Sequence, residues 1–159
     1  MGHVRFRDND HARREGKLIS ETEVNGMIIK EYATYREDEI LKLYASVCWT
    51  AYTKDPETLK NGFEHSLLVL AAYEDDALLG IVRAVGDGYT IVFIQDLLVF
   101  PEQQGKGVGK ALLNAVLERF PHVRQIELVT DDTERTIAFY RSAGFSKLSE
   151  IECCGFMKC

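Results

Sequence analysis

Three glycines at alternate positions, Gly105, Gly107 and Gly109, stand between an apolar run and a stretch of helix formers in PEQQGKGVGKALL. A strand that enters such a loop and leaves it as a helix suits a phosphate. The first helical N–H groups have no partner inside the helix, the dipole is positive at that end, and glycine lets the backbone come close to ligand oxygens. A diphosphate is the guest this arrangement favours. Two familiar glycine motifs are excluded by spacing. A P-loop needs GxxxxGK[ST], and Ala111 stands where the hydroxyl belongs after Lys110. A dinucleotide fingerprint needs another register and an earlier place in a βαβ unit. An ordinary tight turn would use one or two glycines, not three.

Further candidates for chemistry lie outside the loop. Gln95 and Asp96 interrupt YTIVFIQDLLVF, a run that otherwise reads as a strand buried on both faces. Burying a carboxylate is costly unless it is hydrogen-bonded or put to use, so Asp96 is a candidate general base, acting directly or through water. The alternative is a hydrogen bond to backbone at a bulge in the strand. Trp49 and Tyr52, in CWTAYTKDPE, can stack on a substrate or surround a cationic amine, or simply cap a helix junction as core aromatics. The four cysteines, Cys48, Cys153, Cys154 and Cys159, lack CxxC spacing and read as reduced thiols. His3, His11, His65 and His122 are scattered, so no metal site is expected.

These residues need a scaffold to bring them together. Residues 36–48 carry Ile40, Leu43, Tyr44 and Val47 on one helical face. Pro56 opens a second short helix. SLLVLAAY and ALLGIVRAVG follow as an antiparallel hairpin around the turn EDD, and the turn GDG leads into the strand that holds Asp96. The glycine loop, a helix over 107–120, a strand over 125–130, a helix over 133–143 and a final strand pair within GFSKLSEIECCGFMK complete the chain. The pattern predicts a mixed α/β sheet with helices on both faces.

At the other end, residues 1–26 are rich in charge and poor in large apolar groups. Either Asn25-Gly26 turns a hairpin between KLISETEV and MIIKEY, or the stretch is a tail or extension in front of a domain spanning 27–159. The weak alternation of KLISETEV favours the tail. The 159 residues, 46% hydrophobic and 28% charged, fit one such domain. No run is long or apolar enough to suggest a membrane span or export signal, so a cytoplasmic location is expected. The net charge of −6 argues against nucleic acid as a partner and leaves room for a cationic substrate.

Gln104-Gly105-Lys106-Gly107-Val108-Gly109 resembles the Q/R-x-x-G-x-G/A signature of the GNAT N-acetyltransferase superfamily. DLLVFPEQQ upstream resembles that family's fourth strand. AFYRSAGF downstream resembles its fourth helix, with a tyrosine shortly before Gly-Phe. The resemblance extends roughly from Met27 to Lys158. It implies a mostly antiparallel sheet with a splayed central strand pair and acetyl-CoA as cosubstrate. It further implies direct attack by a primary amine of a small molecule or protein in a ternary complex.

By the same resemblance, backbone amides of Gln104, Gly105, Lys106, Gly107, Val108, Gly109 and Lys110 hold the pyrophosphate, and the main chain of Leu97, Leu98 and Val99 pairs with the pantetheine arm. Tyr140 donates a proton to the departing thiolate, and Trp49 and Tyr52 fall where the family builds its acceptor pocket. TERTIAFY departs from the family's N-x-x-A-x-x-[LF]-Y pattern. Thr133 replaces the asparagine, where it can cap the helix and stands as a candidate cofactor contact. The competing reading is an acyl-CoA-binding sensor or interaction module without transfer activity, to which retention of Tyr140 runs counter. A homodimer joined at the cysteine-rich end stays open.

Overall fold

In the computed structural model, which describes residues 21–158, one six-stranded sheet carries helices on both faces. The strands are β1 (Thr22–Val24), β2 (Met27–Glu31), β3 (Leu68–Glu74), β4 (Ala77–Gly86), β5 (Ile91–Val99) and β6 (Gln125–Leu128), and they lie side by side in chain order. Every neighbouring pair is antiparallel except β5 and β6, which are parallel. The helices are α1 (Glu37–Ser46), α2 (Thr50–Thr53), α3 (Pro56–Glu64), α4 (Val108–Arg119) and α5 (Glu134–Ser142).

The hairpin alternative is realised at Asn25-Gly26. Both residues have positive φ, 51° and 82°, as a two-residue primed turn requires, and Val24 pairs with Met27. Thr22–Val24 therefore belongs to the sheet, and Val24 packs against the core. The tail expected over residues 1–26 is thus corrected for its last residues, while 1–20 lie outside the described residues.

The two faces of the sheet bury separate cores. On one, Val108, Leu112, Leu113 and Val116 of α4 pack on Leu70, Val82, Val92 and Ile94. On the other, Ile40, Leu43 and Tyr44 of α1 and Leu59 and Phe63 of α3 pack on Ala71, Ile81 and Leu98. The periodicity of 36–48 predicts this buried face of α1. Asp55 caps α3 by accepting from Thr58 N at 3.0 Å, and Pro56 fills the first helical position. Together α1, α2 and α3 occupy the excursion between β2 and β3, which are adjacent in the sheet. At the β4–β5 turn, Asp87 accepts from the Thr90 hydroxyl and from the backbone of Tyr89, Thr90 and Ile91, which holds its carboxyl well below the usual range.

A single extra residue in β5 decides which core its later side chains join. Ala84 pairs with Ile94 but Arg83 with Asp96, so Gln95 is bulged out. Val92 and Ile94 face α4. After the bulge the alternation inverts, and Leu98 and Phe100 join the α1/α3 core while Val99 joins the α4 core.

The strand pair expected from GFSKLSEIECCGFMK does not form. Leu148–Ile151 is instead a 3-10 turn, Glu152 is left-handed at φ 59°, and Cys153, Cys154, Phe156 and Met157 are exposed. Local polar bonds win over the weak alternation. Glu150 accepts from the backbone N–H of Lys147 and pairs with Arg141, while Lys147 pairs with Asp132. Cys153 and Cys154, which fall within that expected strand pair, are therefore exposed and outside any strand.

Candidate active site

The site begins where the sheet divides. Parallel pairing of β5 with β6 covers only Ile91 to Ile94, opposite Gln125 to Leu128, whereas β5 stays paired with β4 as far as Val99. From Gln95 to Val99 β5 has no β6 partner, and its edge groups are available to an incoming chain except the Val99 carbonyl, which accepts from the Gln104 side chain. Leu97, Leu98 and Val99 all lie on this segment, as the splayed pair predicts. Leu98 and Val99 are buried and Leu97 is half-buried, so their side chains anchor the strand while its edge stays free.

Beyond Val99 a 3-10 turn over Pro101–Gln103 leads into the glycine loop. Gly105 and Gly107 have φ of 78° and 88°, and Gly107 is the N-cap of α4. A Cβ at either glycine would meet nothing within 4 Å, so the loop is open on the side its glycines present. Gly109 is different. It lies against the Phe139 ring, 3.6 Å from its would-be Cβ, and so sets the spacing between α4 and α5. Val108 is buried, whereas Lys106 and Lys110 are exposed and add positive charge beside the free N–H groups of α4.

Gln104 ties this region together. Its Nε2 donates to the carbonyl of Val99 at 3.1 Å, and its Oε1 accepts from Arg135 of α5 at 3.3 Å. Arg135 is a cation at the loop that sequence reasoning missed. Thr133, two residues earlier, caps α5 by accepting from Thr136 N at 3.2 Å, as its type predicts.

Tyr140 projects from α5 on the α4 side of the sheet. Its ring packs edge-on against Phe139 and Phe145, at centroid distances of 5.0 and 5.9 Å. Burial pushes the phenol's pKa up, opposed by a hydrogen bond from the Thr130 side chain just past the end of β6. The hydroxyl is therefore protonated at neutral pH, in the form a proton donor needs.

Asp96 lies on the opposite face. It is 1% exposed, and its Oδ2 accepts from Arg83 Nε at 2.5 Å and from the Tyr44 hydroxyl at 2.7 Å. Its Oδ1 is buried without a hydrogen-bond partner. Side-chain donors, not the backbone, hold this carboxylate at the bulge. Arg83 also reaches the carbonyl of Gly62 and the hydroxyl of Ser66 at the end of α3. Arg83 and the polar role of Tyr44 were not read from sequence. The available signal was a lone arginine in the apolar strand ALLGIVRAVG, whose partner depends on strand register.

Trp49 and Tyr52 complete this side. Their rings stack at 5.8 Å and 26°, and both contact the Tyr44 ring edge-on, at 6.1 and 5.5 Å. A stacked pair encloses no slot between its rings. What it offers is the outer face of Trp49, which is 39% exposed.

Comparison with known proteins agrees with this geometry. Residues 32–145 match the family model of the acetyltransferase (GNAT) family. A GNAT acetyltransferase structure from Streptococcus pneumoniae TIGR4 superposes with a TM-score of 0.76 and 38% identity, over 84% of this chain and 97% of that one. A relative from Gibberella zeae is 30% identical over 113 residues, 69% of this chain and 61% of its own length, so the match spans less than two thirds of that protein. The chloroplastic serotonin N-acetyltransferase 2 of Oryza sativa subsp. japonica is 32% identical over 101 residues, 58% of this chain and 48% of that relative. The chain belongs to the GNAT acetyltransferase family, whose members take the acetyl group from acetyl-CoA.

Proposed function

We propose that this protein transfers acetyl from acetyl-CoA to the primary amine of an acceptor by direct attack in a ternary complex. The observation that carries this reading is the open edge of β5 leading straight into a glycine loop that caps α4. The loop amides from Gln104 to Lys110 receive the diphosphate, with Lys106, Lys110 and Arg135 supplying charge. The edge at Leu97, Leu98 and Val99 pairs with the pantetheine amides, and Thr133 lies beside the cofactor at the start of α5.

In the transfer step the amine lone pair forms the new C–N bond, the C–S bond breaks and its electrons pass to sulfur. Asp96 takes a proton from nitrogen, directly or through water, and Tyr140 gives one to sulfur. Proton exchange with solvent then resets both groups. The two candidates lie on opposite faces of the divided sheet, which suits an acceptor and a leaving group approaching the carbonyl from different sides.

Trp49 and Tyr52 supply an acceptor surface, and its flat exposed face favours an amine carried on an aromatic body over a free polyamine. The rice relative's name is in keeping with that preference. The test is release of free thiol from acetyl-CoA across a panel of aromatic, aliphatic and peptide amines. Turnover highest with an aromatic amine is expected. No acceptor-dependent thiol release with any amine, despite tight binding of acetyl-CoA, would remove the transferase reading.

A further inference from the structure

Asp96 presents an asymmetry that its burial makes costly. One oxygen receives two donors and the other receives none, although an unmatched buried acceptor normally carries a penalty. The position of this asymmetry matters. Asp96 stands two residues past the last β5–β6 pair, at the start of the open edge, and the bulge at Gln95 turns it toward α1 and α3. The two donors come from different elements, Arg83 from the neighbouring strand and Tyr44 from α1. Both are almost fully buried, so the carboxylate is gripped from the strand and the helix at once.

We propose that Tyr44 and Arg83 are positioning residues that hold Asp96 by Oδ2, leaving Oδ1 as the oxygen that takes the proton from the acceptor amine. This rests on the reading of Asp96 as the proton acceptor. Two donors converging on one oxygen fix the rotation of the carboxylate plane, which a single contact would leave free. The guanidinium of Arg83 pairs with the carboxylate in the interior, where leaving one partner of such a pair alone would be costly. Burial, and after it the charge of Asp96, pushes the Tyr44 pKa far above the ordinary tyrosine value, so its hydroxyl acts as a donor across the working pH range. The same Tyr44 ring supports Trp49 and Tyr52, so the group that orients the carboxylate also sets the floor of the acceptor surface.

The experiment uses the full chain with acetyl-CoA and the best amine from the panel. It measures kcat, acceptor KM, acetyl-CoA affinity and melting temperature on each preparation. Asp96→Asn comes first and is expected to lower kcat about a hundredfold with acetyl-CoA affinity unchanged. If it keeps parental kcat, the reading of Asp96 as proton acceptor is lost and the positioning role with it. Given that loss, Tyr44→Phe is expected to lower kcat about tenfold while acceptor KM stays within about twofold. Placed on Asp96→Asn, it is expected to lower kcat no further, since Tyr44 acts through the carboxylate. A Tyr44→Phe variant that melts lower but turns over normally, or whose loss is the same with and without Asp96, would overturn positioning while leaving the base reading intact. Arg83→Lys keeps a cation but not the guanidinium contact and should reproduce the kcat loss. If it does not fold, Tyr44→Phe and the double variant still decide.

Discussion

The cofactor side and the acceptor side of the split are built from different materials. On the cofactor side, the proposed contacts are main-chain groups: the open edge of β5, the positive-φ loop at Gly105 and Gly107, and the first turn of α4. On the proposed acceptor side they are side chains brought from α1, α2, β4 and β5, namely Tyr44, Arg83 and Asp96 with Trp49 and Tyr52 above them. A backbone site depends on local conformation and tolerates change in its flanking residues. A side-chain site depends on the register of distant segments and fails when any one partner is lost.

The largest expected effect breaks the backbone site. Gly107→Asp places an L residue at φ 88°, in a conformation costing about 1–2 kcal/mol, and sets a carboxylate against the diphosphate. Acetyl-CoA affinity should fall about a hundredfold or more by calorimetric titration, with the fold retained because the added atoms meet open space. Retention of parental affinity would contradict the loop's assignment.

Tyr140→Phe separates binding from chemistry on that same side. It should lower kcat about a hundredfold with acetyl-CoA affinity unchanged. Because burial raises this phenol above its ordinary value of 10.0, loss of its proton should not bring a decline in kcat below that pH in the parent enzyme. A pH–rate profile checks the sign. A decline beginning near neutrality and absent from Tyr140→Phe would show the phenol ionising too early to serve as the acid.

Trp49→Ala sharpens the acceptor side. Loss of one stacking face, worth about 0.5–1.5 kcal/mol, should raise the KM of an aromatic amine about two- to tenfold and leave acetyl-CoA affinity alone. An equal effect on an alkylamine of similar size would argue against stacking. The smallest effect belongs to a region that serves neither side. Removing residues 1–26 deletes β1 and the half-buried Val24, and should cost about 1–2 kcal/mol, or a few degrees in Tm, with kinetic constants unchanged. A shift in acceptor KM would place the β1 hairpin in the acceptor site after all.

The same contrast explains what the sequence makes legible. The glycine loop, the helix after it and the cap of α5 are governed by residues within a few positions of one another, so their types and spacing carry the information. The pairing of Arg83 with Asp96 depends on two strands meeting in register and on one bulged residue, Gln95. Without that bulge Asp96 would join the α4 face; the polar pair Gln95-Asp96 suggests a bulge, but not which residue is extruded or which partners Asp96 then meets. Arg135 was hidden for a similar reason, since its partner Gln104 lies thirty-one positions earlier. At the two ends the strand patterns were short and weak. The Asn25-Gly26 turn therefore outweighs poor alternation in β1, while ion pairs and backbone caps override it at Leu148–Ile151.

Because β2 and β3 are neighbours in the sheet, the chain that leaves at Tyr32 and returns at Leu68 begins and ends in nearly the same place. Residues 32–67 thus resemble a cartridge seated in a socket. The socket supplies two strand ends and Arg83 as a latch, through its contacts to Gly62 and Ser66. Exchanging the cartridge for one of another length would alter loop closure by only about 0.6 kcal/mol per doubling, and would leave the proposed acetyl-CoA strands unchanged in sequence. On the proposed reading, this one stretch carries Tyr44, Trp49 and Tyr52, so a change of acceptor calls for rewriting it alone while the proposed cofactor strand and glycine loop stay as they are.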